Sequence, residues 1–250
     1  MLEKKINLLS KDNKITMITA YDYVSGYIVN KSDAEIILVG DSLGMTTLGY
    51  NFTNSVKIDD IIRATQAISR ANITKILVAD LPYQTYESNY QALDNASKLI
   101  SFGADAVKLE GGEEKSEIIR FLRDNKIPVM GHIGIQPQSI NSNNDYKVLG
   151  RNSLEKDKII KDAISVEKSG AFSIVLELVD KILAKKITHK LSIPTIGIGS
   201  GNFTDGQVQV FNDLIGYSPN KIPKHAKKYD NLFDRAKNSI DSFINETRNV

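Results

Sequence analysis

Residues 76–110 read ILVADLPYQTYESNYQALDNASKLISFGADAVKLE. Ile76–Ala79 is a short, unbroken apolar run, the pattern of a strand buried on both faces. Tyr90–Phe102 then sets Leu93, Ala96, Leu99 and Ile100 on one helical stripe. Ala106–Leu109 is a second apolar run, so the stretch reads as strand, crossover helix and parallel strand.

The same unit recurs on either side. Further apolar runs are Ile15–Ala20, Ile36–Val39, Ile127–Met130, Ser173–Leu178 and Pro194–Ile198, with a weaker one at Val208–Ile215. Helical stretches are expected at Asp59–Arg70, at Ser153–Ser169 with Ser153 as N-cap and Gly170 closing it, and at Lys181–Lys190. About eight units in 250 residues favour a (β/α)8 TIM barrel over an open doubly wound sheet. No Gly/Ser/Pro-rich linker divides the chain, so a single barrel domain is expected over residues 1–250. From about Tyr229 a charged amphipathic helix follows. Its stripe of Leu232, Phe233, Ala236, Ile240 and Phe243 should pack on the barrel or on a neighbouring subunit.

Composition narrows the function. Lys and Arg total 32 against 30 for Asp and Glu, a net charge of +2. The one locally basic stretch, Lys221 to Lys228, lacks interleaved aromatics and reads as solvated surface, so no nucleic-acid partner is expected. No run approaches the roughly 20 apolar residues of a membrane span, and the N-terminal residues carry no signal-peptide pattern. Without cysteine there is no disulfide, thiolate nucleophile or Cys-ligated metal.

Chemistry enters at the ends of the runs. They terminate in Asp41-Ser42, Asp80, Glu110-Gly111-Gly112, His132, Glu177 and Ser200-Gly201. In a parallel barrel these ends converge on one face, where barrel active sites lie. A single Asp after a strand is often only a turn or cap residue, but the pattern repeats around the ring. Lys108 and Glu110, two apart, point to the same side of their strand. A structural Lys108–Glu110 pair is the plain alternative to a catalytic role. His132 has the alternative of a satisfied strand-end histidine.

Asp41, Asp80 and Glu110 form an all-oxygen set, which suits Mg²⁺ or Mn²⁺ rather than zinc. A 2-oxo acid could chelate such an ion, which would then acidify the adjacent C–H. Lys108 and His132 are suitable partners for the same oxygens. Glu177 stands apart between Leu176 and Leu178, an apolar setting that would raise its pKa towards that of a general base. The segment Gly197-Ile198-Gly199-Ser200-Gly201 could cradle an anion or simply make room for a ligand. His189, His225 and Tyr217 are assigned no role.

Several blocks, in order, resemble one known family. They are Ile18-Thr19-Ala20-Tyr21-Asp22-Tyr23, Leu38-Val39-Gly40-Asp41-Ser42-Leu43-Gly44-Met45, Ala79-Asp80-Leu81-Pro82, Val107-Lys108-Leu109-Glu110-Gly111-Gly112, Gly131-His132-Ile133-Gly134, Gln136-Pro137-Gln138-Ser139, Tyr146-Lys147, Gly150-Arg151, Gly197-Ile198-Gly199-Ser200-Gly201 and Thr204-Asp205-Gly206-Gln207. Together they are similar to the ketopantoate hydroxymethyltransferase family. The resemblance implies a barrel of the phosphoenolpyruvate/pyruvate-binding type. It implies hydroxymethyl transfer from 5,10-methylenetetrahydrofolate to 3-methyl-2-oxobutanoate, giving 2-dehydropantoate and tetrahydrofolate in pantothenate biosynthesis. By the family pattern Asp41, Asp80 and Glu110 would hold Mg²⁺. Asp41, Ser42, Asp80, Lys108 and His132 would contact the oxo acid, and Glu177 would accept the proton. A cytoplasmic homodecamer is implied as well.

Leu149, Asp180 and Asn51-Phe52 depart from the family pattern. All lie in loops and bear on loop closure and folate affinity. Two rivals stand beside this reading. An isocitrate lyase or phosphonomutase relative would typically carry a Lys-x-Cys-Gly-His segment, which a chain without cysteine lacks. A non-catalytic barrel would have lost site residues that are all present here.

Overall fold

A computed structural model describes residues 6, 9, 11, 13–142, 146–219 and 222–249. Its eight parallel strands close into a barrel in sequence order. They are β1 (Ile15–Thr19), β2 (Ile36–Val39), β3 (Ile76–Asp80), β4 (Ala106–Glu110), β5 (Val129–Gly134), β6 (Ser173–Glu177), β7 (Thr195–Ile198) and β8 (Gly206–Gln209). β1 pairs with β8, and Ile15 faces Gly206 across the seam. A β-carbon on Gly206 would sit 2.4 Å from the Ile15 carbonyl oxygen, so closure needs glycine there.

Alternation along the strands separates two cores. Ile15, Met17, Ile36, Leu38, Ile76, Val78, Ala106, Met130, Val175, Ile196 and Val208 fill the lower barrel, with Leu9 packed among them. Their neighbours, among them Ile37, Val39, Leu77, Ala79, Val107, Leu109, Val129, Ile174 and Leu176, face the surrounding helices. The two-residue period therefore dictates what comes next. Counting up from Val78, Ala106, Met130 and Val175 gives Asp80, Lys108 with Glu110, His132 and Glu177. The polar residues form the layer above the apolar plug.

The expected helices appear at Ile58–Ser69, Asn89–Ser101, Ser153–Lys168 and Lys181–Lys190. Tyr23–Lys31 and Ser116–Asp124 are helices that the sequence reading passed over. On the first of these, Tyr23, Val24, Tyr27 and Ile28 turn outward and only Ser25, Gly26 and Val29 are buried, so its apolar residues do not mark the core-facing side.

Three boundaries need correction. Asn152, not Ser153, caps the helix at Ser153–Lys168, with its side chain accepting from the Glu155 amide at 2.9 Å. The run Val208–Ile215 is not one strand: β8 ends at Gln209 and a short helix spans Phe211–Ile215. His132 lies inside β5, which continues to Gly134.

The C-terminal helix, Leu232–Arg248, has no buried residue. Leu232 and Ala236 are half-buried while Phe233, Ile240 and Phe243 are exposed, so among the described residues the stripe is covered only in part. Lys221 lies outside the described residues. No helix among the described residues is long and apolar enough to cross a membrane.

Candidate active site

Asp80 and Lys108 are paired in register across β3 and β4. Lys108 Nζ lies 2.8 Å from Asp80 Oδ1, and both side chains are almost fully buried. Lys108 therefore pairs with Asp80, not with Glu110 as the structural alternative required. Asp80 Oδ2 accepts from the Asp41 backbone amide at 3.0 Å. Burial opposes the Lys108 ammonium, but the charges of Asp80, Asp41 and Glu110 override it and hold the group above its ordinary range.

Glu110 and His132 are register partners across β4 and β5. The imidazole bridges two carboxylates, with Nδ1 3.2 Å from Glu110 Oε1 and Nε2 3.3 Å from Glu177 Oε2. Neither ring nitrogen is aligned for a hydrogen bond, so these are charge contacts within a buried pocket. Burial is the largest influence on His132 and lowers its pKa, but the charge of Glu110 and the contacts with Glu110 and Glu177 together outweigh burial and the repulsion from Lys108, and the net value is about 9. His132 is thus a cation wedged between two acids rather than a spectator at a strand end. Glu177 has this imidazole beside it, so its setting is not purely apolar as the sequence suggested.

The Asp41 carboxyl is buried and pushed up to about 8, first by burial and then by the charges of Asp80 and Glu110. The site has an excess of negative charge that Lys108 offsets only in part. Among the described residues no three His, Asp or Glu side chains are drawn together as a ready-made metal cage. The donor set nonetheless fits a hard divalent ion. Magnesium is usually held by one or two carboxylates, with water and substrate completing the octahedron. Asp41 Oδ1 has no hydrogen bond among the described residues, and the buried Asp80 Oδ1 meets Lys108 alone among them.

Ser42 opens the helix at Leu43–Thr46 just above β2. A chain of hydrogen bonds sits behind it. The Phe211 amide donates to Thr19 Oγ1 at 2.9 Å, Thr19 donates to the Tyr21 hydroxyl at 2.8 Å, and Tyr21 lies 2.8 Å from Ser42 Oγ. Burial keeps the Tyr21 phenol well above its usual range, so it stays protonated.

Ser200 does not join this cluster. Its hydroxyl donates to the Leu176 carbonyl at 2.8 Å and accepts from the Val179 amide at 2.9 Å, which fastens the turn after β6. The glycines around it serve packing: a β-carbon on Gly197 would lie 2.6 Å from Thr204 Oγ1. Leu178, directly after Glu177, adopts φ +48, a costly conformation for a branched side chain. Bonds from Leu178 N to Ile198 O and from Leu149 N to Leu178 O hold it there.

Above the carboxylates, Ile135, Ile140 and Leu178 pack with Phe52, Tyr146, Val148 and Leu149. Two of the family departures, Phe52 and Leu149, thus belong to one small apolar cluster beside Glu177. Asp180 caps the helix at Lys181–Lys190 by accepting from the Ile182 and Leu183 amides. Burial, then the charges of Glu177, Asp41 and Glu110, keeps the Tyr146 phenol above its usual range. His189 is exposed, with Nδ1 2.7 Å from the Lys185 carbonyl. Gln138, given no role from sequence, bonds the Asp41 and Glu110 carboxylates directly, and Tyr86 reaches the Gln138 side chain and the Glu110 backbone amide.

The architecture is a parallel (β/α)8 barrel with an acidic, lysine-containing layer at the carboxyl ends of its strands. Solved structures share the fold at low identity. Phosphonopyruvate hydrolase in complex with oxalate and Mg++ aligns with TM-score 0.66 and 10% identity over 99% of this chain and 86% of that one. A putative phosphonomutase from Burkholderia cenocepacia gives 0.65 and 12% over 99% and 100%. Sequence comparison is far more specific. The ketopantoate hydroxymethyltransferase family model matches residues 3–250. The 3-methyl-2-oxobutanoate hydroxymethyltransferase of Thermosipho africanus is 46% identical, covering 99% of this chain and 94% of the relative. That of Clostridium acetobutylicum is 44% identical over 95% and 87%. The chain belongs to the ketopantoate hydroxymethyltransferase family.

Proposed function

We propose that the protein transfers a hydroxymethyl group from 5,10-methylenetetrahydrofolate to 3-methyl-2-oxobutanoate, yielding 2-dehydropantoate and tetrahydrofolate. Family membership supports the reaction. The observation that carries the chemistry is the polar layer itself: Asp41, Asp80, Lys108, Glu110, His132 and Glu177 lie above the apolar plug of one barrel.

Asp41 and Asp80, with Glu110 in the same set, would hold Mg²⁺. When bound there, the ion supplies Lewis-acid polarisation of the oxo acid's carbonyl. Lys108 and Ser42 orient the oxo acid, together with Asp41 and Asp80. Glu177 accepts the proton from C3, and His132 beside it steadies the carboxylate charge before transfer. The carbon so activated forms a bond to the methylene carbon of the folate. One of the two C–N bonds of that methylene breaks as the new C–C bond forms, and its nitrogen takes a proton; the other breaks as water supplies the hydroxyl, and the remaining proton of the water goes to the second folate nitrogen. The apolar cluster around Tyr146 and Leu178 shields this step from bulk solvent.

A cytoplasmic homodecamer completes the reading. Exposed Tyr23, Val24, Tyr27 and Ile28 on one helix, and Phe233, Ile240 and Phe243 on another, support self-assembly.

The test is direct. The purified chain is incubated with both substrates and Mg²⁺, with and without EDTA, and 2-dehydropantoate is sought by mass spectrometry. EDTA-sensitive product supports substrate, donor and metal together. A folded protein that makes none points to another 2-oxo acid.

A further inference from the structure

The segment Pro137–Ser139, one turn after β5, inserts Gln138 among the carboxylates. Gln138 is 2% exposed, although glutamine is ordinarily a surface residue. Every polar atom of its side chain is used. Nε2 donates to Asp41 Oδ2 at 2.9 Å and to the Leu81 carbonyl at 3.0 Å. Oε1 accepts from the Tyr86 hydroxyl at 2.5 Å. Its backbone amide donates to Glu110 Oε2 at 3.1 Å. One residue therefore grips two of the three acids.

The amide cannot be turned over without loss. A flip would press Oε1 against the Asp41 carboxylate and the Leu81 carbonyl, two acceptors. Tyr86, itself buried, sets this orientation by donating to Oε1, and its oxygen also accepts from the Glu110 amide at 3.4 Å. The loops after β2, β3 and β5 and the end of β4 are thus tied at one point.

The choice of an amide matters. Lysine or arginine here would neutralise the acids and compete with a cation. Glutamine orients them without adding a competing positive charge. It ties up Asp41 Oδ2 and leaves Oδ1 without a protein hydrogen bond among the described residues. We propose that Gln138, held by Tyr86, is a positioning residue that presets Asp41 and Glu110 to receive the divalent cation. This rests on reading those carboxylates as metal ligands.

The test is Mn²⁺ binding to the full-length protein without substrate, followed by electron paramagnetic resonance. Gln138→Leu removes both side-chain donors at similar volume, and its Mn²⁺ dissociation constant should rise about 10- to 100-fold, the usual range for partners that orient ligands. Tyr86→Phe keeps the ring and loses only the hydroxyl, so a smaller weakening is expected. A residue that merely shaped the loop would leave metal affinity alone. A Gln138→Leu dissociation constant within about twofold of wild type would overturn the proposal, twofold being well under the effect such partners have. If that variant does not fold, Tyr86→Phe decides: weaker binding supports the proposal and unchanged binding overturns it. Absence of saturable Mn²⁺ binding by the wild type would instead bring down the ligand assignment itself.

Discussion

Replacing Lys108 by methionine tests the charge balance at the centre of the site. Its ammonium is 2.8 Å from Asp80 Oδ1, with side chains 5% and 2% exposed. Removing one member of so buried a pair leaves an uncompensated charge and typically costs about 3–5 kcal/mol. In a domain of this size 1 kcal/mol shifts the melting temperature by roughly 2–4 °C. The metal-free variant should therefore melt about 6–20 °C lower.

Two further signatures separate a charge effect from lost packing. Asp41, with its pKa near 8, holds a proton at neutral pH. A cluster short of one cation can recover by taking up another proton, so the deficit should be smaller at pH 6.5 than at pH 8.5. A divalent cation also restores positive charge, so Mg²⁺ should raise the melting temperature of Lys108→Met more than that of wild type. The assay is a set of thermal melts in EDTA and in Mg²⁺ at both pH values. A metal-free deficit below about 2 °C, less than 1 kcal/mol by the same conversion, would refute the argument. A deficit indifferent to both pH and Mg²⁺ would refute it equally.

Further outcomes follow from other parts of the molecule. Glu177→Gln should lower kcat by about 10²- to 10⁴-fold and abolish solvent exchange of the C3 proton of 3-methyl-2-oxobutanoate while Mg²⁺ affinity holds; retained exchange removes Glu177 from the role of base. The metal-free protein should lose stability as pH rises from 6.5 to 9. His132 is raised from 6.5 to about 9, so its contribution is fully present below 6.5 and is lost through 9, on the order of 3 kcal/mol. Asp41, raised to about 8, acts in the same direction from about pH 4 to 8. Denaturant titrations in EDTA at the two pH values check this, and a rise in stability would contradict it. Gly206→Ala forces a β-carbon against the Ile15 carbonyl at the β1–β8 seam and should cost about 1–3 kcal/mol or more, read as a lower denaturation midpoint. Removing residues 231–250 should leave the barrel's melting intact but shrink the assembly seen by sedimentation; an unchanged assembly means the C-terminal helix is no interface.

The site was legible from sequence to the extent that strand periodicity reached it. The barrel interior admits alternate residues, so Val78 in the plug entails Asp80 in the site, and Ala106 entails Lys108 and Glu110. The same counting carries Met130 to His132 and Val175 to Glu177. Lys108 was conspicuous because lysine is rarely buried without a partner. The partner itself, Asp80 rather than Glu110, depends on pairing between strands, which no single run encodes. Gln138, Tyr86 and the Thr19–Tyr21 support behind Ser42 escaped for a related reason. They are neutral side chains, mostly in or beside loops, where neither a period nor an odd burial of charge flags them.

The two ends of the chain's reading show where periodicity stops being informative. β8 reads Gly-Gln-Val-Gln, and the Gln207 amide donates to Gly201 O and Thr204 Oγ1. Its polarity hid the strand, and the apolar residues that follow belong to the helix at Phe211–Ile215. The C-terminal helix presents the opposite case. Its stripe forms as expected, yet Phe233, Ile240 and Phe243 stay exposed among the described residues. An apolar stripe states that a face will be buried; it carries no information about which chain does the burying. The helix at Tyr23–Lys31, with Tyr23, Val24, Tyr27 and Ile28 outward, repeats the pattern on the barrel's flank. Within one chain the hydrophobic pattern solved the barrel, and these two exposed stripes are what it left over.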